Sequence, residues 1–433
     1  MKNIISRIPF YSYFDDVASS STFRHSTITL IGTVLTGALG AVFYIMTARF
    51  LGPSGFGLFS VAIVTQTLIT DIGDLGTDTG LVNFVSRYLK SEKEKADKFL
   101  KLAFEVKFVM YIVVLVAGLL SAKFISQKVF VLPELENPLK IAIIGIGALS
   151  IFSFINRTLQ ASQRFWAWSS IQVGINALRV ILVVAFVLTG FLTLENTLWV
   201  YIAMPFVGFI IGLTLISRSF FNAKNEFSVA KEFFKYNKWV AAFTILAAIS
   251  SRLDTFISAR LLDPVDLGLY SASNQMVRIV PMIVAAMGTV IAPKMASLDS
   301  LEKLVNYLKK TQMMVILLAV LGLLLSPIAI WLLPHLFGIE YTGLGMIFII
   351  LLISMLIFLI SVPVHMAIFY YFSKPSIFFW LSIVHLLTIG ILGWYLTSFY
   401  GVLGTACTVL IGQLVNFLVP LIWVLRRIRS SYA

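Results

Sequence analysis

The chain has 433 residues, of which 59% are hydrophobic and only 12% charged, with a mean hydropathy of +0.94. Soluble domains carry about 25% charged residues, so this composition excludes a soluble globular protein and points to a polytopic membrane protein. The formal net charge is +13, and its distribution along the chain argues against a nucleic-acid partner.

Apolar runs of about 20 residues recur from end to end, each long enough as a helix to cross a hydrocarbon core of about 30 Å. Twelve are predicted, at 27–47, 58–80, 104–122, 139–161, 169–189 and 197–217, then at 239–259, 268–292, 311–333, 343–365, 376–396 and 402–425. Barrel strands would instead show about ten residues of strict alternation, so the expected fold class is an all-α polytopic membrane protein.

Lys and Arg set the orientation. With the N-terminus in the cytoplasm, the cytoplasmic segments hold 23 of the 33 basic residues, a bias that places both termini on that side. The charge then faces the anionic inner leaflet of a cell inner (plasma) membrane. Met1 to Ser26 shows no cleavable leader, since polar residues and Arg7 stand where an apolar region would be. Its stretch "IISRIPFYSYF" reads as a frayed tail or an interfacial amphipathic segment.

A repeat organises the chain. "ARFLGPSGFGLFSVA" (Ala48 to Ala62) and "ARLLDPVDLGLYSAS" (Ala259 to Ser273) share seven of fifteen residues at an offset of 211 positions. Both join paired helices on the outer side, so two six-helix halves in the same orientation are expected, related by an axis along the membrane normal. The expected division is a cytoplasmic tail (1–26), an N-terminal bundle (27–217), a cytoplasmic linker (218–238), a C-terminal bundle (239–425) and a second tail (426–433). Pro53 and Pro264 stop a helix and pre-set a turn, and Gly57 and Gly268 open the next helix. Arg49 and Arg260 close the preceding helices, as snorkelling anchors or as substrate contacts.

The first copy, followed by "DIGDLGTDTGLVNFVSR", resembles the N-terminal signature of the polysaccharide biosynthesis (O-antigen flippase, Wzx-like) family. That family belongs to the multidrug/oligosaccharidyl-lipid/polysaccharide (MOP) exporter superfamily. Ser251 to Ala296 resembles the family's second-half signature, and "YGVLGTACTVLIGQLVNFLVP" its last helix. The resemblance implies two six-helix bundles around a central cavity and transport of lipid-linked saccharides across the inner membrane. It also implies partners among membrane lipids and polysaccharide polymerase or assembly proteins, with no nucleic acid.

Charges inside hydrocarbon are costly and need a cavity, a partner or a function. Arg179 and Arg278 each lie about 15 Å into their helices at 1.5 Å per residue, and Arg252 and Asp254 share the seventh. A cavity lined by Arg179, Arg252 and Arg278 would suit a pyrophosphate, because guanidinium binds phosphate bidentately. Asp71, Asp74 and Asp78 follow one helical face. Asp71 and Asp74 are candidates for a coupling ion, whereas Asp78 and Arg87 are expected to be solvated at the cytoplasmic surface. Lys107 and Arg157 are expected to snorkel, and His365 and His385 to be hydrogen-bonded structural groups.

No Walker A run, HExxH or paired Cys/His spacing occurs, so neither ATP hydrolysis nor a metal or other cofactor is expected. Cys407 is the sole cysteine. The leading expectation is therefore a non-enzymatic flippase for a polyprenyl-pyrophosphate-linked oligosaccharide. A drug or metabolite exporter of the multidrug and toxic compound (MATE) type is the alternative, although cationic drugs would want a mainly acidic cavity. A membrane glycan polymerase or ligase is the third, although the longest outer loop, about 123–138, carries no acid-base constellation.

Overall fold

The computed structural model describes residues 21–432, and every regular element among them is helical. The stretch "IISRIPFYSYF" lies outside the described residues. In lipid a backbone must satisfy its polar groups internally, and the continuous apolar runs do so as helices.

Two helical rods are far too long for one crossing. Thr27–Gly73 has 47 residues and Ser376–Ser430 has 55, about 70 and 80 Å at 1.5 Å per residue against a core of about 30 Å. Each breaks at a glycine. Gly52 (φ 67°) precedes Pro53, which bars the helical conformation from the residue before it, and Gly401 (φ 57°) divides the second rod. The elements are α1 (21–51), α2 (53–73), α3 (Thr77–Tyr88), α4 (Lys93–Phe124), α5 (Glu136–Ala161), α6 (Phe165–Thr189), α7 (Leu194–Leu215) and α8 (Phe227–Ser250). Then follow α9 (Leu253–Leu261), α10 (Pro264–Val277), α11 (Ile279–Ala296), α12 (Leu301–Leu324), α13 (Ser326–Phe337), α14 (Leu344–Met366), α15 (376–400) and α16 (402–432). Helices α8 and α9 form one span bent by 41°. Counting each long rod as two spans and each broken span once gives the expected twelve among the described residues.

Three spans are broken where continuous helices were expected. The seventh breaks at Ser251 and Arg252, the eighth at Arg278 and the ninth at Leu325. The run from Leu58 to Arg87 also breaks, at Leu75 (φ 51°) and Gly76 (φ 75°). The 218–238 stretch is well packed. Its Phe220 and Phe233 are fully buried in an aromatic cluster with Phe84, Phe99 and Phe154, and α8 already begins within it. Phe84 stacks on Phe99 at 4.5 Å, a geometry worth about 0.5–1.5 kcal/mol beyond area burial.

The chain divides into two compact units. One contains the described residues up to Phe43 with Ile69–Leu120 and Lys140–Thr244; the other contains Tyr44–Leu68, Ser121–Leu139 and the described residues from Ile245 on. Many large apolar side chains stay exposed, Leu120 and Leu188 at 81% among them. Such a surface would aggregate in water and is what lipid covers.

Within the first unit, α3 lies against α8 through glycine. A Cβ at Gly80 would overlap the buried Asn237 amide, and one at Gly76 would meet the Asn237 carbonyl at 3.0 Å. Gly80→Ala should therefore destabilise the protein by about 1–3 kcal/mol through overpacking, seen as a lower unfolding temperature in detergent. Gly174→Ala, with open space at its Cβ, should leave that temperature unchanged or raise it. Equal behaviour of the two variants would refute the close packing.

Candidate functional site

The second helix of the chain ends in a charge cluster. After Gly73 the backbone turns through Leu75 and Gly76, and Asp74 ties the turn together. It accepts from the Thr77 hydroxyl at 2.6 Å and from the Asp78 backbone N–H at 3.2 Å. The turn brings Asp74 and Asp78 onto the same ammonium, because Lys107 Nζ from α4 lies 2.5 Å from Asp74 Oδ1 and 2.8 Å from Asp78 Oδ1. Asp78 also meets Arg157 Nε at 3.1 Å and the Ser153 hydroxyl at 2.5 Å, both from α5.

Two expectations are corrected here. Lys107 does not snorkel, being 3% exposed, and Asp78 is ion-paired and not a solvated charge. The physical reason is balance: two carboxylates and two cations form a neutral group, the form in which charge is tolerated away from water. Arg157 keeps a partly exposed side chain while pairing with Asp78. The Asp74 oxygens are thus taken up by Lys107, Thr77 and backbone, while Asp71 lies half-buried one turn earlier.

Arg179, on α6 in the same unit, has a different setting. Its guanidinium lies over the neighbouring rings of Phe43 and Tyr201, 5.4 and 4.2 Å from their centroids. It donates only to neutral oxygens, Asn176 Oδ1 at 3.2 Å and the Tyr201 carbonyl at 3.4 Å. Its Nε has no hydrogen-bond partner among the described residues. Aromatic faces hold the cation in place, and no described carboxylate neutralises it.

In the second unit, Asp254 sits in the first turn of α9 and accepts from the Tyr270 hydroxyl of α10. Arg252, two residues earlier, turns back to the Ala248 carbonyl at 3.3 Å. Asp254 and Tyr270 line a cavity of about 360 Å³ with Asn274, His385, Gln413 and Asn416. His365 bonds the Asn416 carbonyl at 2.9 Å, the structural role expected of it, whereas His385 lines the cavity. Arg278 is exposed at the α10–α11 break. The cavity and Tyr270 were missed in the sequence, where a tyrosine and scattered amides give no spacing signal. Among the described residues no three His, Cys, Asp or Glu side chains gather as metal ligands. Outside the spans, the Ser228 hydroxyl and then the Lys98 ammonium hold the Glu226 carboxyl below its usual range.

The two repeat copies meet each other, also within this unit. A Cβ on Gly57 would overlap the Pro264 carbonyl, and a Cβ on Gly268 would overlap the Pro53 carbonyl. Arg49 donates to the His335 carbonyl at 2.6 Å, and the buried Tyr341 hydroxyl to the Ala48 carbonyl at 2.9 Å. Arg260 stands exposed in the last turn of α9. The candidate charges are thus divided, with Arg179, Asp71 and Asp74 in the first unit and Arg49, Arg252, Asp254, Arg260 and Arg278 in the second.

The apolar spans of the described residues, carrying buried charges, define a multi-pass membrane protein with the fold of MOP superfamily transporters. The family model described as polysaccharide biosynthesis protein matches residues 23–299, and the chain belongs to that family. Solved structures of similar fold include a multidrug resistance MATE family transporter of the MOP superfamily in an inward-facing conformation. It has a TM-score of 0.74 and 11% identity, covering 91% of this chain and 95% of that chain. The lipid II flippase MurJ in an inward closed conformation gives 0.75 at 16% identity, over 92% and 87%. A MOP superfamily transporter from Pyrococcus furiosus, described as having a binding pocket of reversed polarity, gives 0.64 at 13% identity, over 95% and 96%. At these identities the likeness is one of fold. No curated protein matches the sequence.

Proposed function

We propose that the chain is a transporter, a flippase that moves a polyprenyl-pyrophosphate-linked oligosaccharide from the cytoplasmic to the outer leaflet by alternating access, for surface polysaccharide biosynthesis. The observation that carries the reading is Arg179, a guanidinium in a membrane span held over two neighbouring rings, with only neutral hydrogen-bond partners among the described residues. A pyrophosphate cannot enter hydrocarbon unpaired, and such a guanidinium offers it charge and aligned donors together. Family membership supports the saccharide, and the basic bias supports an inner-membrane protein with both termini in the cytoplasm.

Mass spectrometry of lipids that co-purify with the protein tests this. The expected result is a polyprenyl-pyrophosphate sugar that is retained by the native chain and depleted in Arg179→Ala. A cationic small molecule in its place would favour the exporter reading, with the Asp254 cavity as its place of binding. Equal lipid profiles for the two chains would remove Arg179 from the site.

A further inference from the structure

The contacts between the repeat copies obey the repeat's own register. Gly57 faces Pro264, and adding 211 to one position while subtracting it from the other turns this contact into Gly268 facing Pro53, which is also present. The buried Tyr341 also holds the Ala48 carbonyl of the first copy. Ala48 lies in the last turn of α1. A contact in which each partner plays both parts is the mark of a two-fold interface, here inside one chain.

We propose that these paired contacts form a reciprocal latch, in which bare glycine Cα atoms seat against proline carbonyls to close one mouth of the transport path, and which parts in each cycle. The latch rests on the transport reading. Glycine is required because any Cβ at 57 or 268 holds the two helix starts apart. The seal is made of backbone contacts and weak Cα–H···O bonds, about 0.5–1 kcal/mol each, so it closes tightly at little cost to opening. A salt bridge in its place would have to be desolvated on every closure.

Ser60 and Ser271, a matched pair one turn deeper and both buried, report on the latch. In a Cys407→Ser background, Ser60→Cys or Ser271→Cys is labelled with a membrane-impermeant maleimide applied to each face of the membrane in turn. The native glycines should give slow labelling from the latch side. Gly57→Ala with Gly268→Ala should raise that rate several-fold, and Gly174→Ala should not. Tyr341→Phe, which keeps the ring and loses only the Ala48 bond, should raise it by a smaller factor and decides the matter if the double variant does not fold. Unchanged rates in folded variants would overturn the latch. No substrate enters this measurement, so loss of the transport reading through the Arg179 variants would be seen separately.

Discussion

Lys107→Ala should be the most damaging single substitution in the first unit, with little folded protein recovered from the membrane. The ammonium is 3% exposed and lies within 2.8 Å of two carboxylates. Its loss leaves Asp74 and Asp78 to share one arginine on the far side of Asp78. Breaking a buried ion pair from one side costs about 3–5 kcal/mol, against a total stability of about 5–15 kcal/mol. Most of that cost is the uncompensated charge, so it should be recoverable. Adding Asp74→Asn restores neutrality, leaving Asp78 to Arg157, and the double variant should regain part of the lost unfolding temperature. Native-like yield and unfolding temperature for Lys107→Ala alone would show that the cluster contributes nothing to stability.

Arg179→Ala should lower transport in reconstituted vesicles about ten- to a hundredfold at limiting substrate while the protein still inserts and runs as a single species. A charge-assisted hydrogen bond contributes about 1.5–3 kcal/mol, or about ten- to a hundredfold in affinity at 1.4 kcal/mol per tenfold. The loss falls on substrate binding and not on folding, since the protein partners of Arg179 are neutral. Arg179→Lys keeps the point charge and should retain part of the activity, less than the native fork because one bidentate contact is gone. Tyr201→Leu keeps the charge and removes a ring, and should cost less than Arg179→Ala. Arg252→Ala and Arg278→Ala, assayed in parallel, separate the proposed site into its parts. Normal transport by all three alanine variants at equal expression would leave the arginines as structural groups.

The all-helical class, the twelve spans and the family could be read from the sequence, because apolar length, basic bias and a fifteen-residue repeat are local signals. The breaks at Arg278 and at Ser251–Arg252 could not, since hydropathy averaged over a span is blind to a one-residue turn. Lys107 was misread for a related reason: a lone lysine near a helix end looks the same whether water or two aspartates receive it, and the aspartates come from a turn and the helix after it, more than 25 residues earlier. The purpose of the repeat was hidden as well. Each copy alone reads as a turn signal, Pro then Gly, and only in three dimensions does the glycine of one copy meet the proline of the other.

That the second unit claims Tyr44–Leu68 and Ser121–Leu139 for itself has a consequence for how the protein is made. These segments leave the ribosome early, yet the helices they pack against are synthesised only after residue 245. At about 5–20 residues per second, the first hairpin waits roughly 10–40 s in the bilayer with its glycine notch uncovered and its proline carbonyl unmatched. The nascent N-terminal half is therefore an unfinished object during insertion. A chain cut at the 218–238 stretch would leave that half permanently short of the neighbours that complete its first hairpin.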